Sequence, residues 1–326
     1  MAPRISVEDR IQRLRQIRDE GDLIQIRSVV AKGLVDSTSL VVAESAKIVS
    51  ELELSGMEPD LLAAWGRLVH AADPIKADKG CTAKAAIIEA LGRLNYDQPE
   101  FYLTAIVFRQ IEPAWPDAED TAENVRGGSA FALARSQHLR VVDKLIALVN
   151  YLQGSRADRI NAARAIADTS HESAIPLLRL KLYLGDAEAE VMGVCMSGLM
   201  ELDPNRSISL VAEFLSNPSE NVVLEAAASL GMCGKPAAVE ALIAKWNKTG
   251  SNDVQRSLLL SIGLSRSTNA VDFLISQLAV NADAESVLEA LKPSCIYQET
   301  HERVRETLVK LNDKKLLAKF DRQRKT

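Results

Sequence analysis

Several residue types that common functions require are scarce in this chain of 326 residues. Aromatic residues make up only 4% of it, so a platform for stacking nucleic-acid bases is poorly supplied. Basic residues are also in deficit, because 39 Lys and Arg face 44 Asp and Glu and give a net charge of -5. Nucleic-acid binding normally needs a basic face, so this function is a minor alternative for the chain. It predicts an affinity that falls steeply as the salt concentration rises.

Cysteine, glycine, proline and long apolar runs are limited as well. The four cysteines, at positions 81, 195, 233 and 295, include no pair with the C-x-x-C spacing of a thiolate zinc site. No apolar run approaches the ~20 residues that span a bilayer, and the first nine residues contain no apolar signal core. We therefore predict a cytoplasmic protein without membrane binding, with reduced and packed thiols, and with neither a metal nor another cofactor.

Known catalytic motifs are missing too. The chain has no G-x-S-x-G, P-loop or G-x-G-x-x-G pattern. Its His–Glu pairs, His171-Glu172 and His301-Glu302, stand 130 residues apart in different sequence contexts. These absences favour binding by a large surface over catalysis, although the sequence does not identify what is bound.

A repeat is what the chain does contain. Small or apolar residues recur at i, i+4, i+5 and i+8, which on an α-helix form one stripe about 140° wide. Six stripes begin at Val41, Ala83, Val125, Val191, Val222 and Val254, and two further copies have Asp in the first place, at Asp158 and Asp283. Their last residues are separated by 42 residues in the first two intervals and by 29 to 33 in the later five. Chance amphipathicity does not give such a regular period, so the stripes indicate a repeat array.

Each stripe follows a second amphipathic segment with bulkier apolar residues, such as residues 139–149 and 174–184, and short polar breaks separate the two. Each repeat is therefore predicted to be a helical hairpin, because stacked hairpins bury stripes that one hairpin leaves exposed. No alternation long enough for a strand occurs. The predicted fold is all-α, a right-handed α-solenoid of about eight hairpins with capping helices.

We expect a single solenoid domain over residues 1–326. Residues 1–21 form the N-terminal cap, residues 22–292 the repeats, and residues 293–326 a C-terminal cap with a basic tail. The tail contains Lys314, Lys315, Lys319, Arg322, Arg324 and Lys325. It is either a solvated capping helix or an electrostatic contact for a partner.

The segments ENVVLEAA at 220–227 and ENVR at 123–126, the latter followed by small residues, resemble HEAT repeats. They are most similar to the short bacterial type also found in phycobilisome lyases, and the resemblance covers about residues 22–292. It implies a fold and is nearly silent on function. It makes a phycobilin lyase-like chaperone or enzyme the main enzymatic alternative, which binding of a bilin and a phycobiliprotein subunit would distinguish.

Two other HEAT-like enzyme families fit the chain less well. Deoxyhypusine hydroxylases hold a di-iron centre with His–Glu pairs in a repeated helix context, which the two pairs here do not share. Alkylpurine DNA glycosylases line a basic groove with Trp and Asp, and the acidic charge balance argues against that function.

Two early repeats are about ten residues longer than the later ones, with insertions at residues 70–80 and 112–124. Loops within the hairpins of a solenoid line one edge, so neighbouring insertions should meet there and form a binding edge. The predicted partner-binding residues are Asp73, Asp78, Lys79, Trp115, Asp117, Glu119, Asp120 and Arg126. The chain is accordingly predicted to be a non-enzymatic scaffold or adaptor that binds a protein through its concave face and this edge.

Three features of the second insertion have alternative interpretations. Trp115 is either an aromatic anchor for a partner or a cover for the hairpin end. Gly127 and Gly128 each cost ~1 kcal/mol in a helix interior, so a neighbouring helix or a ligand should approach closely there. Arg126 either belongs to the binding edge or pairs with an acidic residue of the next repeat.

Overall fold

The computed structural model describes residues 6–280 and 283–323. Almost all of these residues lie in helices or in the short turns between them. The chain divides into two compact units, the first ending at Thr169 and the second beginning at Ser170. Both units consist of stacked helical hairpins, and the predicted all-α solenoid fold is confirmed.

The first unit contains ten helices and one short β-hairpin in its described part. In chain order they are α1 (Val7–Glu20), α2 (Leu23–Leu34), α3 (Ser39–Glu51), α4 (Glu58–Val69), α5 (Pro74–Ala77), α6 (Thr82–Arg93), α7 (Pro99–Ala105), β1 (Ile111–Glu112), β2 (Glu119–Asp120), α8 (Glu123–Arg135), α9 (Val141–Tyr151) and α10 (Arg156–Asp168). The β-hairpin is antiparallel, and its two-residue strands are too short to produce the alternation by which strands are recognised in a sequence.

The second unit is helical throughout its described part. Its helices are α11 (Ala174–Leu184), α12 (Ala189–Leu202), α13 (Pro204–Glu213), α14 (Glu220–Cys233), α15 (Pro236–Trp246), α16 (Asn252–Leu264), α17 (Thr268–Leu278), α18 (Ala284–Leu291), α19 (Gln298–Lys310) and α20 (Lys314–Gln323). In residues 6–280 and 283–323, no helix combines the length and the apolar character that crossing a membrane requires.

The eight predicted stripes lie on α3, α6, α8, α10, α12, α14, α16 and α18. Within the first unit α3 packs on α6, α6 on α8, and α8 on α10; within the second, α12 packs on α14, α14 on α16, and α16 on α18. Every stripe residue is buried except Asp283, which caps α18 by accepting a hydrogen bond from the Ser286 amide at 3.1 Å. These stripes are therefore the core, as their period predicted.

Close helix packing explains the two glycines inside α8. A Cβ on Gly127 would come within 2.7 Å of Asn161 Nδ2 on α10, and one on Gly128 within 2.7 Å of Ile88 Cγ2 on α6. Both distances are shorter than real Cβ contacts, so a larger residue at either position would force the side chain of Asn161 or Ile88 to move. Of the two explanations for this pair, the approach of adjacent helices is the one that the structure supports.

Helices α1, α19 and α20 flank the repeats within their own units. Leu14 of α1 is buried, and the His301 ring of α19 stacks on Phe320 of α20 with centroids 4.6 Å apart. Lys319 of the predicted basic tail forms an ion pair with Glu285 at 2.6 Å. Arg324 and Lys325 of that tail lie outside the described residues.

Candidate functional site

The two insertions meet in the first unit. Gln110, which immediately precedes β1, donates a hydrogen bond from Nε2 to the Asp78 carbonyl oxygen at 2.8 Å. In return the Gly80 amide donates to Glu112 Oε1 at 2.6 Å. The turn around residues 78–81 and the β1–β2 hairpin are thereby joined into one edge.

Glu112 is the centre of that junction. Its side chain is only 4% exposed and accepts hydrogen bonds from Gly80, from Gln110 Nε2 at 2.7 Å and from Thr121 Oγ1 at 2.8 Å. Burial would raise the pKa of Glu112, but the hydrogen bonds from Gln110, Gly80 and Thr121 outweigh burial and hold the pKa below its ordinary value. The buried carboxylate therefore stays charged at neutral pH and fixes three separate segments.

Asp78, one of the predicted partner-binding residues, lies inside this edge. Its side chain is 0% exposed and accepts hydrogen bonds from the amides of Ala83 at 3.0 Å and Lys84 at 2.9 Å, at the start of α6. Lys84 is also fully buried, with Nζ 3.5 Å from Asp78 and 3.0 Å from Gln110 Oε1. Asp78 thus holds the insertion in place and presents no side-chain surface to a partner.

Arg126 is likewise internal and 2% exposed. Its Nε donates to Asp158 on α10 at 2.9 Å, while Nη1 donates to Asp120 at 2.9 Å and to the Phe108 carbonyl at 3.0 Å. Burial would lower the pKa of Arg126, but Asp158 and Asp120 together raise it above its ordinary value. The expected pairing with an acidic residue of the next repeat is therefore present, and Arg126 joins the β-hairpin to α8 and α10.

Asp120 has a structural role as well. Burial would raise its pKa, but backbone hydrogen bonds from Ala122 and Gln110 and the charge of Arg126 hold it below the ordinary value. Asp120 also pairs with Arg109 at 3.1 Å. Its carboxylate orients both ends of the hairpin.

The outer surface of the insertion is apolar at several points. Trp115, in the loop between β1 and β2, is 94% exposed and does not fold back over the hairpin end. The peptide bond between Trp115 and Pro116 is cis. Val107 and Ile111 are 70% and 53% exposed on the same segment. We call Val107, Ile111 and Trp115 the apolar edge.

The remaining predicted residues lie on the outside of the insertions. Asp117 and Glu119 are exposed next to the apolar edge, and Lys79 is exposed on the first insertion. Asp73 begins α5, where it accepts a hydrogen bond from the Lys76 amide at 3.1 Å and pairs with Lys76 Nζ at 3.2 Å. The carboxylate of Asp73 is thus already bound by Lys76 of α5.

A separate groove of about 1040 Å³ crosses α3, α6 and α8 in the first unit. Gly80 and Cys81, from the end of the first insertion, contribute to one part of its wall, and Ser136 and Gln137, after α8, contribute to another. Ala85, Gly92 and Gly128 supply small residues along the helices. The first unit therefore has a groove along the helices that carry the stripes.

Metal ligands do not converge in the part of the chain that is described. No group of three or more His, Cys, Asp or Glu side chains there could hold a metal ion. His171 Nδ1 accepts a hydrogen bond from the Ser173 amide at 3.1 Å, and His301 packs on Phe320.

Comparison with known proteins gives matches of fold only. No protein-family model matches the chain, and no curated protein matches it. The solved structure of YibA from Escherichia coli is 16% identical, covers 90% of this chain and 98% of its own, and has a TM-score of 0.49. The complex of CpcE and CpcF of phycocyanin lyase from Nostoc sp. is 17% identical, with 82% and 94% covered and a TM-score of 0.43.

Human deoxyhypusine hydroxylase is a further match, 17% identical, with 81% of this chain and 92% of that chain covered and a TM-score of 0.31. All three TM-scores are below 0.5, so none of these proteins bears on what this chain binds.

Sequence reasoning missed Val107, Gln110 and Ile111 as parts of the edge, and it included Glu112 only as the first residue of the second insertion. Val107 and Ile111 precede the insertion and belong to no stripe. Nothing in the sequence indicates that Gln110 and Glu112 contact the first insertion, because those contacts join residues about 30 positions apart.

Proposed function

We propose that this chain is a scaffold or adaptor that binds a protein partner through the apolar edge of its first unit. The observation that carries the proposal is the 94% exposure of Trp115 at the tip of a hairpin whose base is fixed by buried hydrogen bonds. Large apolar side chains grouped on an exposed segment are typical of interaction sites.

The gain from covering this edge is substantial. A buried tryptophan removes on the order of 150–250 Å² from water, which corresponds to roughly 4–6 kcal/mol before the costs of association are subtracted. Val107 and Ile111, on the same segment of the chain, are further exposed apolar side chains. A partner that offers a pocket for Trp115 would therefore obtain much of its binding energy from one residue, as interface hot spots commonly do.

The hairpin is also organised before a partner arrives. Glu112 and Asp120, one on each strand, are both held by several hydrogen bonds, so little backbone order has to be gained on binding. Asp117, in the loop that carries Trp115, Glu119 on β2 and Lys79 on the first insertion are exposed charges of both signs, which suits the polar rim of a protein interface.

Affinity purification from the native host, with the full-length chain as bait, tests the proposal. The bait is compared with Trp115→Ala and with a matched control, Tyr183→Ala, which removes an aromatic residue that is 71% exposed on α11 of the second unit. We expect at least one protein to be retained by the wild type and the control and lost with Trp115→Ala. With that protein purified, the Trp115→Ala change should weaken binding by at least ~2 kcal/mol, about 30-fold.

Two results would count against the proposal. One is a set of retained proteins that Trp115→Ala leaves unchanged. The other is a chain that retains no protein at this edge but attaches a bilin to a phycobiliprotein subunit, which would establish the lyase alternative in its place.

A further inference from the structure

We propose that the groove across α3, α6 and α8 binds an extended, acidic segment of a partner protein. This is a second surface of the first unit, distinct from the apolar edge. With a volume of about 1040 Å³ it lies at the upper end of the ~300–1,000 Å³ usual for small-molecule pockets. That size suits several residues of a peptide chain better than a single small molecule.

The positive charges of the groove are available to a ligand. Lys47 on α3 and Arg93 on α6 line it, both are exposed, and neither forms an ion pair within residues 6–280 and 283–323. Arg135 on α8 lines it too and pairs with Asp168 at 2.8 Å, but its side chain is still 70% exposed. An incoming carboxylate therefore meets three cationic side chains from three neighbouring helices.

The negative charges are fewer, and one of them is occupied. Glu89 is exposed on α6, and Asp97 is the other acidic residue of the lining. Asp97 accepts hydrogen bonds from the Ser136 hydroxyl and from the Gln137 amide at 2.6 Å, and it lies 2.8 Å from His138 Nδ1. Its charge is thus directed toward these partners, and the lining carries three cations against two carboxylates although the whole chain carries -5.

The neutral polar groups of the groove suit a peptide backbone. Tyr102 lines it with 1% of its surface exposed, and its hydroxyl has no hydrogen-bond partner among the residues that the structure describes. A buried donor without an acceptor is unfavourable. Asn95 and Asn124 add exposed amides, which can both donate to and accept from a peptide.

An acidic protein segment fits this lining better than a nucleic acid does. A channel that binds a nucleic acid needs many cations along the phosphate backbone and aromatic residues for the bases to stack on. The groove has only three cations and, beyond Tyr102, two aromatic residues, Tyr96 and Phe131. An acidic peptide presents carboxylates separated by backbone amides. These groups can pair with the cations and the carboxamide side chains that line the groove. A nucleic acid is accordingly one of the outcomes that would overturn the proposal.

Gly92 provides a way to block the groove without disturbing the fold. It lies in α6, lines the groove, and a Cβ built on it meets no atom within 4 Å. A large side chain at this position therefore projects into the groove. Gly66 in α4 is the matched control, since a Cβ there also meets nothing within 4 Å and the residue does not line the groove.

The test is selection of displayed random dodecapeptides on the full chain, with counter-selection on Gly92→Trp. We expect the selected peptides to be enriched at least twofold in Asp and Glu over the starting library and to bind Gly66→Trp normally. In fluorescence anisotropy, Arg93→Glu and Lys47→Glu should each weaken one selected peptide at least tenfold. Lys32→Glu, an exposed charge reversal on α2 outside the groove, should change its affinity less than twofold.

Recovery of no peptide, or of basic or purely apolar peptides, overturns the proposal. Two further results also overturn it. One is a selected acidic peptide whose affinity falls as much with Lys32→Glu as with Arg93→Glu. The other is that single-stranded oligonucleotides bind more tightly than any peptide at the same salt concentration. Trp115→Ala should leave the selected peptides bound, so the two proposals can fail separately. Because Arg93 and Lys47 are exposed, circular dichroism should show the same folded helix content for their charge reversals as for the wild type.

Discussion

Arg126 and Asp158 form an ion pair at 2.9 Å with side chains that are only 2% and 1% exposed. The pair joins α8 to α10, and Arg126 also reaches Asp120 beside the β-hairpin. Both partners are enclosed, so neither can regain water if the other is removed. The same residue therefore secures the stack of helices and the base of the apolar edge.

Replacement of Arg126 by Met should destabilise the first unit by about 3–5 kcal/mol, because Asp158 would be left buried without its cation. Urea unfolding followed by tryptophan fluorescence and circular dichroism measures this loss. Trp65 and Trp115 lie in the first unit and Trp246 in the second. Trp246→Phe therefore leaves only the fluorescence of the first unit, and the double variant Trp65→Phe/Trp115→Phe leaves only that of the second.

The matched control is Arg135→Met on the same helix. Arg135 pairs with Asp168 at 2.8 Å, but the side chains are 70% and 33% exposed, and such surface pairs contribute at most about 1 kcal/mol. Equal losses for the two variants would contradict the structural role given to the buried pair.

Asp97 should contribute stability that depends on pH. Burial would raise its pKa, but hydrogen bonds from Ser136, the Gln137 amide and His138 hold the pKa below the ordinary value. A carboxyl whose folded pKa is lowered stabilises the fold above its unfolded pKa of ~3.9, and this stabilisation is lost as pH falls through the folded pKa. Asp97→Asn should therefore cost roughly 1–2 kcal/mol at pH 7, and the difference should narrow as pH falls below about 4.

Thermal unfolding from pH 7 to pH 3 checks this dependence. Asp117→Asn, at an exposed position of the insertion loop, serves as control and should differ from the wild type by less than ~0.5 kcal/mol at every pH. A constant difference between Asp97→Asn and the wild type across that range would refute the expected linkage.

The stripes could be predicted because their cause is local. Residues such as Ala226 and Ala227 are buried by a neighbouring helix, and burial at every helical turn leaves a period in the sequence. The network around Glu112 could not be predicted in this way, since it depends on which loops meet. The residues that line the groove could not be predicted either. Lys47 and Arg93 occupy exposed helix positions, where packing imposes no period on the sequence.

Two kinds of helical glycine should respond oppositely to alanine. At Gly66 and Gly92 an added Cβ would meet no atom within 4 Å, so Gly→Ala should stabilise by about 0.5–1 kcal/mol through the lower flexibility of the unfolded chain. At Gly263 of α16 a Cβ would overlap the Ala290 carbonyl oxygen of α18. There Gly→Ala should destabilise by about 1–3 kcal/mol, because backbone has to move.

Differential scanning calorimetry of the three single variants measures both effects. Gly231 of α14 repeats the arrangement of Gly263, because a Cβ there would overlap the Ser261 carbonyl oxygen of α16, so Gly231→Ala should also lower stability. Stabilisation by alanine at either position would mean that α14, α16 and α18 pack less closely than they do in the structure.

Glu225 on α14 should weaken the fold when it is ionised. Its half-buried carboxylate lies over Gly193 of α12, where a Cβ would overlap Oε2. Burial raises the pKa of Glu225, and the negative charge of Glu190 raises it further. A carboxyl with a raised folded pKa holds its proton more tightly in the folded state than in the unfolded state. The free energy of unfolding therefore falls as pH rises from the unfolded pKa of ~4.3 to the folded pKa, and it stays low above that.

Glu225→Gln removes this ionisation and should raise the unfolding temperature at pH 7, with the advantage disappearing below about pH 4. Glu220→Gln on the same helix is the control of opposite sign. Glu220 lies in the first turn of α14, where a negative charge interacts favourably with the helix dipole, so its neutralisation should cost about 0.3–1 kcal/mol at neutral pH. If Glu225→Gln is less stable than the wild type at pH 7, then Glu225 has a stabilising partner. The repulsion expected between Glu190 of α12 and Glu225 of α14 would then not decide the stability.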